Sequence, residues 1–210
     1  MLNWFKKRHQ DDSKYRKILL DAFPLDLKKD VEIVMDILPF DVNEVKLCDG
    51  QTHKVENLIH PHSQTVQLNG EILTIPYRLY FNEPKPDKEF QLTSRQKTIL
   101  NCIYLRHHDG FVRQRRLEKI DNNEYWITPF TFPLLGEYIF EILEVLNKQL
   151  DVNKLENYQL FATENPEYYQ KTESRMISYW NEYYRWKFPK LKLYIGRIIF
   201  EQIKNKPITQ

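Results

Sequence analysis

Most apolar positions in this chain recur at helical spacing. Tyr15, Ile18, Leu19 and Ala22 predict a short first helix that ends at Phe23-Pro24. Val31, Val34, Met35 and Leu38 share one face of a second helix over residues 26–38, with Pro39 as its stop. The clearest pattern lies in residues 92–150. Thr93 and Gln96 read as a capping box, in which each side chain satisfies a backbone N–H of the other residue. Ile99, Leu100, Ile103 and Tyr104 then form one stripe, and that spacing predicts a helix ending near His108. Asp109-Gly110 marks a turn and supplies a cap for the next helix, from Phe111 to Ile120, with Val112, Leu117 and Ile120 inward.

Thr128-Pro129 signals another helix start. Pro133 has no N–H to donate deeper in that helix, so a start at Phe132 with Thr131 as cap is the alternative. Over residues 135–150, Tyr138, Ile139, Ile142, Leu143 and Leu146 make the expected buried face, opposite Glu137, Glu141 and Glu144. A short helix over 153–163 turns Leu155, Tyr158 and Phe161 inward. Asn165-Pro166-Glu167 opens a helix expected to run to Lys187, with Met176, Ile177, Trp180, Tyr183 and Tyr184 on one broad side. Pro189 opens the last helix, striped by Leu191, Tyr194, Ile195, Ile198, Ile199 and Ile203.

One stretch breaks the helical texture. Residues 65–75 read as a β-hairpin, because Asn69-Gly70 is the preferred pair for a two-residue type I′ turn. Tyr77, Leu79 and Phe81 alternate with Arg78 and Tyr80, which extends the β-like insertion over residues 64–81. Residues 82–88 read as a surface connection. The fold class expected is mainly α: a single helical domain over 1–210, of about seven helices, with a small inserted β-hairpin and a flexible arm at 1–11.

Asp109, Val112, Arg113, Leu117 and Ile120 resemble the second half of a HEAT-like helical hairpin. The resemblance covers about residues 93–120. Arg116 departs from it, since that position is usually a small residue between helices, and no second copy follows at a fixed period. It implies paired helices and no particular chemistry.

Composition sharpens this picture at a few points. The 210 residues contain only 5 glycines and are 14% aromatic, which favours helices over a turn-rich β fold. The formal net charge of +2 gives no overall argument for nucleic acid or membrane. Cys48 and Cys102 have no motif spacing, and Cys102 reads as a reduced core residue, as in a cytoplasmic protein. The N-terminus lacks the charge-then-apolar order of a secretory signal, and no run approaches 18 apolar residues, so no membrane is expected.

Candidate chemistry is sparse. Arg106, His107, His108, Asp109, Arg113, Arg115 and Arg116 gather at one helix–turn–helix corner. Guanidinium forks beside a helix N-terminus suit an anion or phosphate. The plainer alternative pairs these arginines with Glu137 and Glu141. His60 and His62 point the same way from an extended segment near Cys48 and His53, but no metal motif is present and no metal or cofactor is expected. The Glu stripe lacks the i+3 histidines of a di-metal bundle. No phosphate loop or nucleophile elbow occurs, so a catalytic role is unsupported.

The C-terminal part differs. From Glu167 on, nine Lys and Arg oppose four Glu, a local balance of +5. Arg175, Arg185 and Lys187 are interleaved there with Tyr179, Trp180, Tyr183 and Trp186. Such aromatics serve a helix core, a protein-binding face or a nucleic-acid surface. The expectation is a non-catalytic interaction or scaffold protein whose partner is a protein. The alternatives are a weak, nonspecific nucleic-acid binder acting through the basic, aromatic C-terminal helices, and an enzyme or anion-binding site at the Arg106–Arg116 corner.

Overall fold

The computed structural model describes residues 13–42, 44–46 and 50–205. The expected arm at 1–11, Cys48 and Lys206 lie outside the described residues. The protein is mainly α, with two small antiparallel hairpins. It divides into two compact units: residues 1–65 with 71–119, and residues 66–70 with 120–210.

In the first unit, α1 (residues 13–20) and α2 (Lys28–Met35) precede a hairpin of β1 (Glu44–Lys46) and β2 (Thr52–Lys54). β3 (Ser63–Leu68) and β4 (Glu71–Pro76) form the second two-stranded sheet. α3 (Pro86–Phe90), α4 (Ser94–Tyr104) and α5 (Gly110–Glu118) complete it. The capping box is present: Gln96 N–H donates to Thr93 Oγ1, and Thr93 N–H to Gln96 Oε1. The Gln96 amide also donates to Asp30 at 2.8 Å, tying α4 to α2. Val31, Val34 and Met35 of α2 and Ile99, Leu100 and Ile103 of α4 are buried, as their spacing predicts. α4 ends at Tyr104, before the expected His108, because residues 105–108 turn to pair with an extended segment. The expected surface connection at 82–88 includes the start of α3, which Pro86 opens.

The second unit holds α6 (Thr128–Thr131), α7 (Phe140–Lys148), α8 (Val152–Glu164), α9 (Pro166–Tyr179) and α10 (Ile195–Asn205). Phe132 is its hub. That ring lies 5.2–6.4 Å from the rings of Phe161, Tyr158, Tyr169, Tyr168 and Phe200. The helix expected over 135–150 is shorter. Residues Phe132–Gly136 form a 3-10 turn, Glu137 is extended, and α7 starts at Phe140. At this break the chain approaches α9 closely: a Cβ on Gly136 would sit 3.0 Å from the Thr172 carbonyl. This breaks the Glu stripe, since Glu137 is buried outside the helix while Glu141 is exposed on it. It also leaves Tyr138, expected inside, 46% exposed.

Asn69 and Gly70 have φ of 51° and 83°, the pair of positive values that a type I′ turn requires. The turn region belongs to the second unit because Asn165 clamps it. Asn165 Oδ1 accepts from Gln67 N–H at 2.7 Å, and its Nδ2 donates to the Gln67 carbonyl at 2.9 Å. This pair of hydrogen bonds imitates a neighbouring strand. It also explains why Asn165, expected to cap α9 with its side chain, makes no such cap.

Two glycines give a test. Gly70→Ala forces a side chain into positive φ with open space around it, and should cost about 1 kcal/mol. Gly196 has ordinary φ, but a Cβ there would lie 2.8 Å from Met176 Cγ and 3.0 Å from Tyr194 Cε1. Overpacking costs about 1–3 kcal/mol, more than the roughly 0.5–1 kcal/mol of helix propensity gained. Urea denaturation should therefore find Gly196→Ala less stable than wild type; a stabilised variant would refute the close contact.

Candidate functional site

The arginine corner is built around an extended segment, residues 76–81. Such a segment exposes a backbone N–H and C=O at every residue, and each must be paired once buried. Residues 58–62 serve one edge: His60 N–H donates to Arg78 O, Tyr80 N–H to Leu58 O, and Tyr77 N–H to His62 O. The chain beyond α4 serves the other. Leu79 N–H donates to Arg106 O, and His108 N–H donates to Leu79 O, both at 2.9 Å.

Side chains add to the pairing. Arg106 donates through Nε to Pro76 O and through Nη2 to Tyr77 O. His107 Nδ1 accepts from Asp109 N–H, so Nε2 carries the proton and donates to Phe81 O at 3.2 Å. Arg113 donates through Nη1 to the carbonyls of His107 and His108. Asp109 caps α5 by accepting from Phe111 N–H. His108 stacks on Tyr80, with ring centroids 5.5 Å apart. These contacts hold a chain reversal together.

Arg116 is only 2% exposed. It makes a bidentate pair with Glu89, at 2.8 and 3.0 Å, and a third bond to Glu83 at 2.8 Å. Asn101 Oδ1 accepts from it as well, and the Tyr104 ring lies 4.9 Å from its Cζ. The Glu83 carboxyl, despite burial that favours its neutral form, is held below its ordinary range by Arg116 and Arg115. Among the expected partners, Glu137 and Glu141 belong to the second unit. Glu83 and Glu89 carry no periodic or motif signal, and only the fold brings them to Arg116.

His60 and His62 do lie together, with rings 5.1 Å apart and His62 N–H donating to His60 Nδ1. Among the described residues, no group of three or more His, Cys, Asp or Glu could hold a metal ion. No helix among them is long and apolar enough to cross a membrane.

The expected interaction residues gather in the second unit where α9 ends. A π-helical turn, Trp180–Tyr184, follows α9 in place of the expected straight run to Lys187. Its wider turn leaves Tyr183 50% exposed and, just beyond, Trp186 81% exposed. Trp186 is held in place: its Nε1 donates to Tyr183 O at 2.9 Å. Tyr138, Tyr179 and Tyr183 form a triad with centroids 5.8–6.2 Å apart. Tyr184 turns inward onto Tyr194, and Trp180, half-buried, donates to Phe188 O. Arg185 stands over the Trp180 ring and Lys187 over Phe140. Arg175 lies deeper, donating to Pro133 O. Tyr138 joins this face from a region whose spacing pointed it into a core.

The corner should respond to acid. Burial above all, with help from His108, pushes His107 down to about 4 against the opposing pull of Asp109, Glu83 and the Phe81 carbonyl. The unfolded chain takes up this proton near 6.5. The stability of neutral His107 is thus complete above pH 6.5 and is lost as pH falls towards 4. Unfolding free energies from urea denaturation at about pH 7 and pH 5 should differ by on the order of 1–2 kcal/mol, and His107→Gln should shrink the difference. Equal pH dependence in the two proteins would show that His107 is not the titrating group. Arg116→Met should cost about 3 kcal/mol by stranding two carboxylates, measurable in the same assay.

Compared with protein-family models, curated proteins and solved structures, the chain matches none.

Proposed function

We propose that the protein is a non-catalytic interaction module of the cytoplasm, and that it binds a partner protein through the aromatic, cationic face at the end of α9. The observation that carries this reading is Trp186, 81% exposed yet fixed by its bond to Tyr183 O. A pre-positioned ring loses little conformational freedom on binding. Covering an aromatic ring removes roughly 150–250 Å² from water, a gross gain of about 4–6 kcal/mol at 25 cal/mol/Å². Rim charges contribute about 0–1 kcal/mol each. Affinity therefore resides in Trp186, Tyr183 and Tyr138, while Arg185 and Lys187 select an acidic partner. Arg106, Arg113 and Arg116 each donate to carbonyls or carboxylates of their own unit, which supports placing recognition elsewhere.

Photo-crosslinking in the cells that express the protein tests this. A benzophenone amino acid in place of Trp186 should give a discrete protein adduct. The same group in place of Phe111, also exposed but in the other unit, should give none. Tyr183→Ala with Lys187→Glu should abolish the adduct at 186, with stability changed by no more than about 0.5 kcal/mol. Adducts to nucleic acid alone would replace this reading with the nucleic-acid one.

A further inference from the structure

We infer that the first unit carries a separate site for a phosphate-type dianion borne on an apolar or aromatic body. The site is a groove of about 470 Å³ among α3, α4 and α5. That volume suits a small ligand or a single modified side chain.

Its charges are unequal. Four cationic side chains, Lys97, Arg115, Arg116 and Lys119, line the groove with two carboxylates, Glu83 and Glu89, a net charge of +2. The buried floor is already matched. Arg116 takes both oxygens of Glu89 and one of Glu83, and Arg115 takes the other oxygen of Glu83 at 2.7 Å. Lys119 is left with a loose 3.7 Å approach to a Glu89 oxygen that Arg116 holds at 2.8 Å. Lys97 has no carboxylate partner among the described residues; its Nζ stands 5.5 Å from the centre of the Phe90 ring. The two lysines are thus charges without full compensation, facing one depression. A dianion is the ligand charge that balances them.

The other wall is apolar. Phe90 is 82% exposed, and Pro84 and Pro86 line the groove beside it. A bare inorganic anion would use the lysines and leave this wall wet. A phosphate ester on an aromatic body would use both, with its ring against Phe90 and its oxygens towards Lys97, Lys119 and the half-exposed guanidinium of Arg115.

The test is a titration of the ¹⁵N-labelled full chain at low ionic strength, near about pH 7.5, where a phosphate ester is dianionic. Phenyl phosphate should saturate one site, with shifts centred on Phe90, Lys97 and Lys119. Inorganic phosphate should bind at least about threefold more weakly, and phenol should not bind. Lys97→Gln with Lys119→Gln should weaken phenyl phosphate about tenfold or more without changing the thermal midpoint. Phe90→Ala should erase the margin over inorganic phosphate. A short phosphotyrosine peptide distinguishes the source: tighter binding than phenyl phosphate assigns the dianion to a modified protein, and equal or weaker binding to a free ester. Non-saturable shifts, shifts centred on Arg185 and Lys187, or full affinity in the lysine variant would each overturn the proposal. Equal affinity for inorganic phosphate would overturn it as well.

Discussion

A buried strand has to be hydrogen-bonded along both edges, and among the described residues of the first unit the sheets are only two strands wide. Residues 76–81 run extended through that unit, with Leu79 and Phe81 buried. The solution is composite. Backbone from 58–62 pairs one edge, and backbone from 106–108 pairs the other. Arg106 and His107 supply donors for the carbonyls of Pro76, Tyr77 and Phe81. An unpaired buried carbonyl or amide costs about 1–3 kcal/mol, so this short segment would be untenable with its partners removed. The end of α4, the chain reversal at Asp109 and the burial of Arg113 all follow from meeting that demand.

The second unit solves the same problem on a smaller scale. Gln67 has no second strand beside it, and the Asn165 amide presents one donor and one acceptor in the place of a strand backbone. An amide is the side chain that offers both at that spacing. Glu164, next to it, accepts from Asn69 N–H and from Tyr125 Oη–H. Around these polar anchors the unit is packed with rings. The hub at Phe132 requires α8, α9 and α10 to approach closely, and Gly136 and Gly196 provide the clearance. Ring packing also explains the face at the end of α9. The inward positions are taken by Tyr184, Tyr194, Phe140 and Phe188, and the next rings, Tyr183 and Trp186, are turned to solvent.

Charge in this protein serves two ends that sequence composition cannot separate. Arg116 shows the first: a guanidinium with four hydrogen bonds and a ring against it is a structural tie across α3, α4 and α5. Its geometry matches a carboxylate bidentately, as a lysine's would not. Lys97, Lys119, Arg185 and Lys187 show the second. Lys97 stands over the exposed Phe90 ring, Arg185 over Trp180 and Lys187 over Phe140, where the ring face attracts a positive charge, and Lys119 lines the same groove as Lys97.

The sequence by itself determined those features that depend on neighbours within about four residues. The capping box at Thr93 and Gln96, the Asp109 cap, the Asn69-Gly70 turn and the buried stripes of α2 and α4 are all local, because backbone geometry and 3.6-residue periodicity act over that range. The apolar stripe correctly put Ile142, Leu143 and Leu146 inside, but it could not register the close approach of Gly136 to α9 or the extended Glu137 that separates α7 from the turn before it, beyond which Tyr138 is exposed. The arginine corner was legible as a cluster. Its meaning was not, since the carbonyls and carboxylates that claim those arginines lie 5 to 33 residues away in the chain. The same holds for Tyr183 and Trp186. Their composition is equally compatible with a core, and only the π turn after α9 and the prior claim of Tyr184 and Phe188 on the interior left them at the surface. Periodicity records which face a residue is on; which face is covered depends on what else the tertiary structure has packed there.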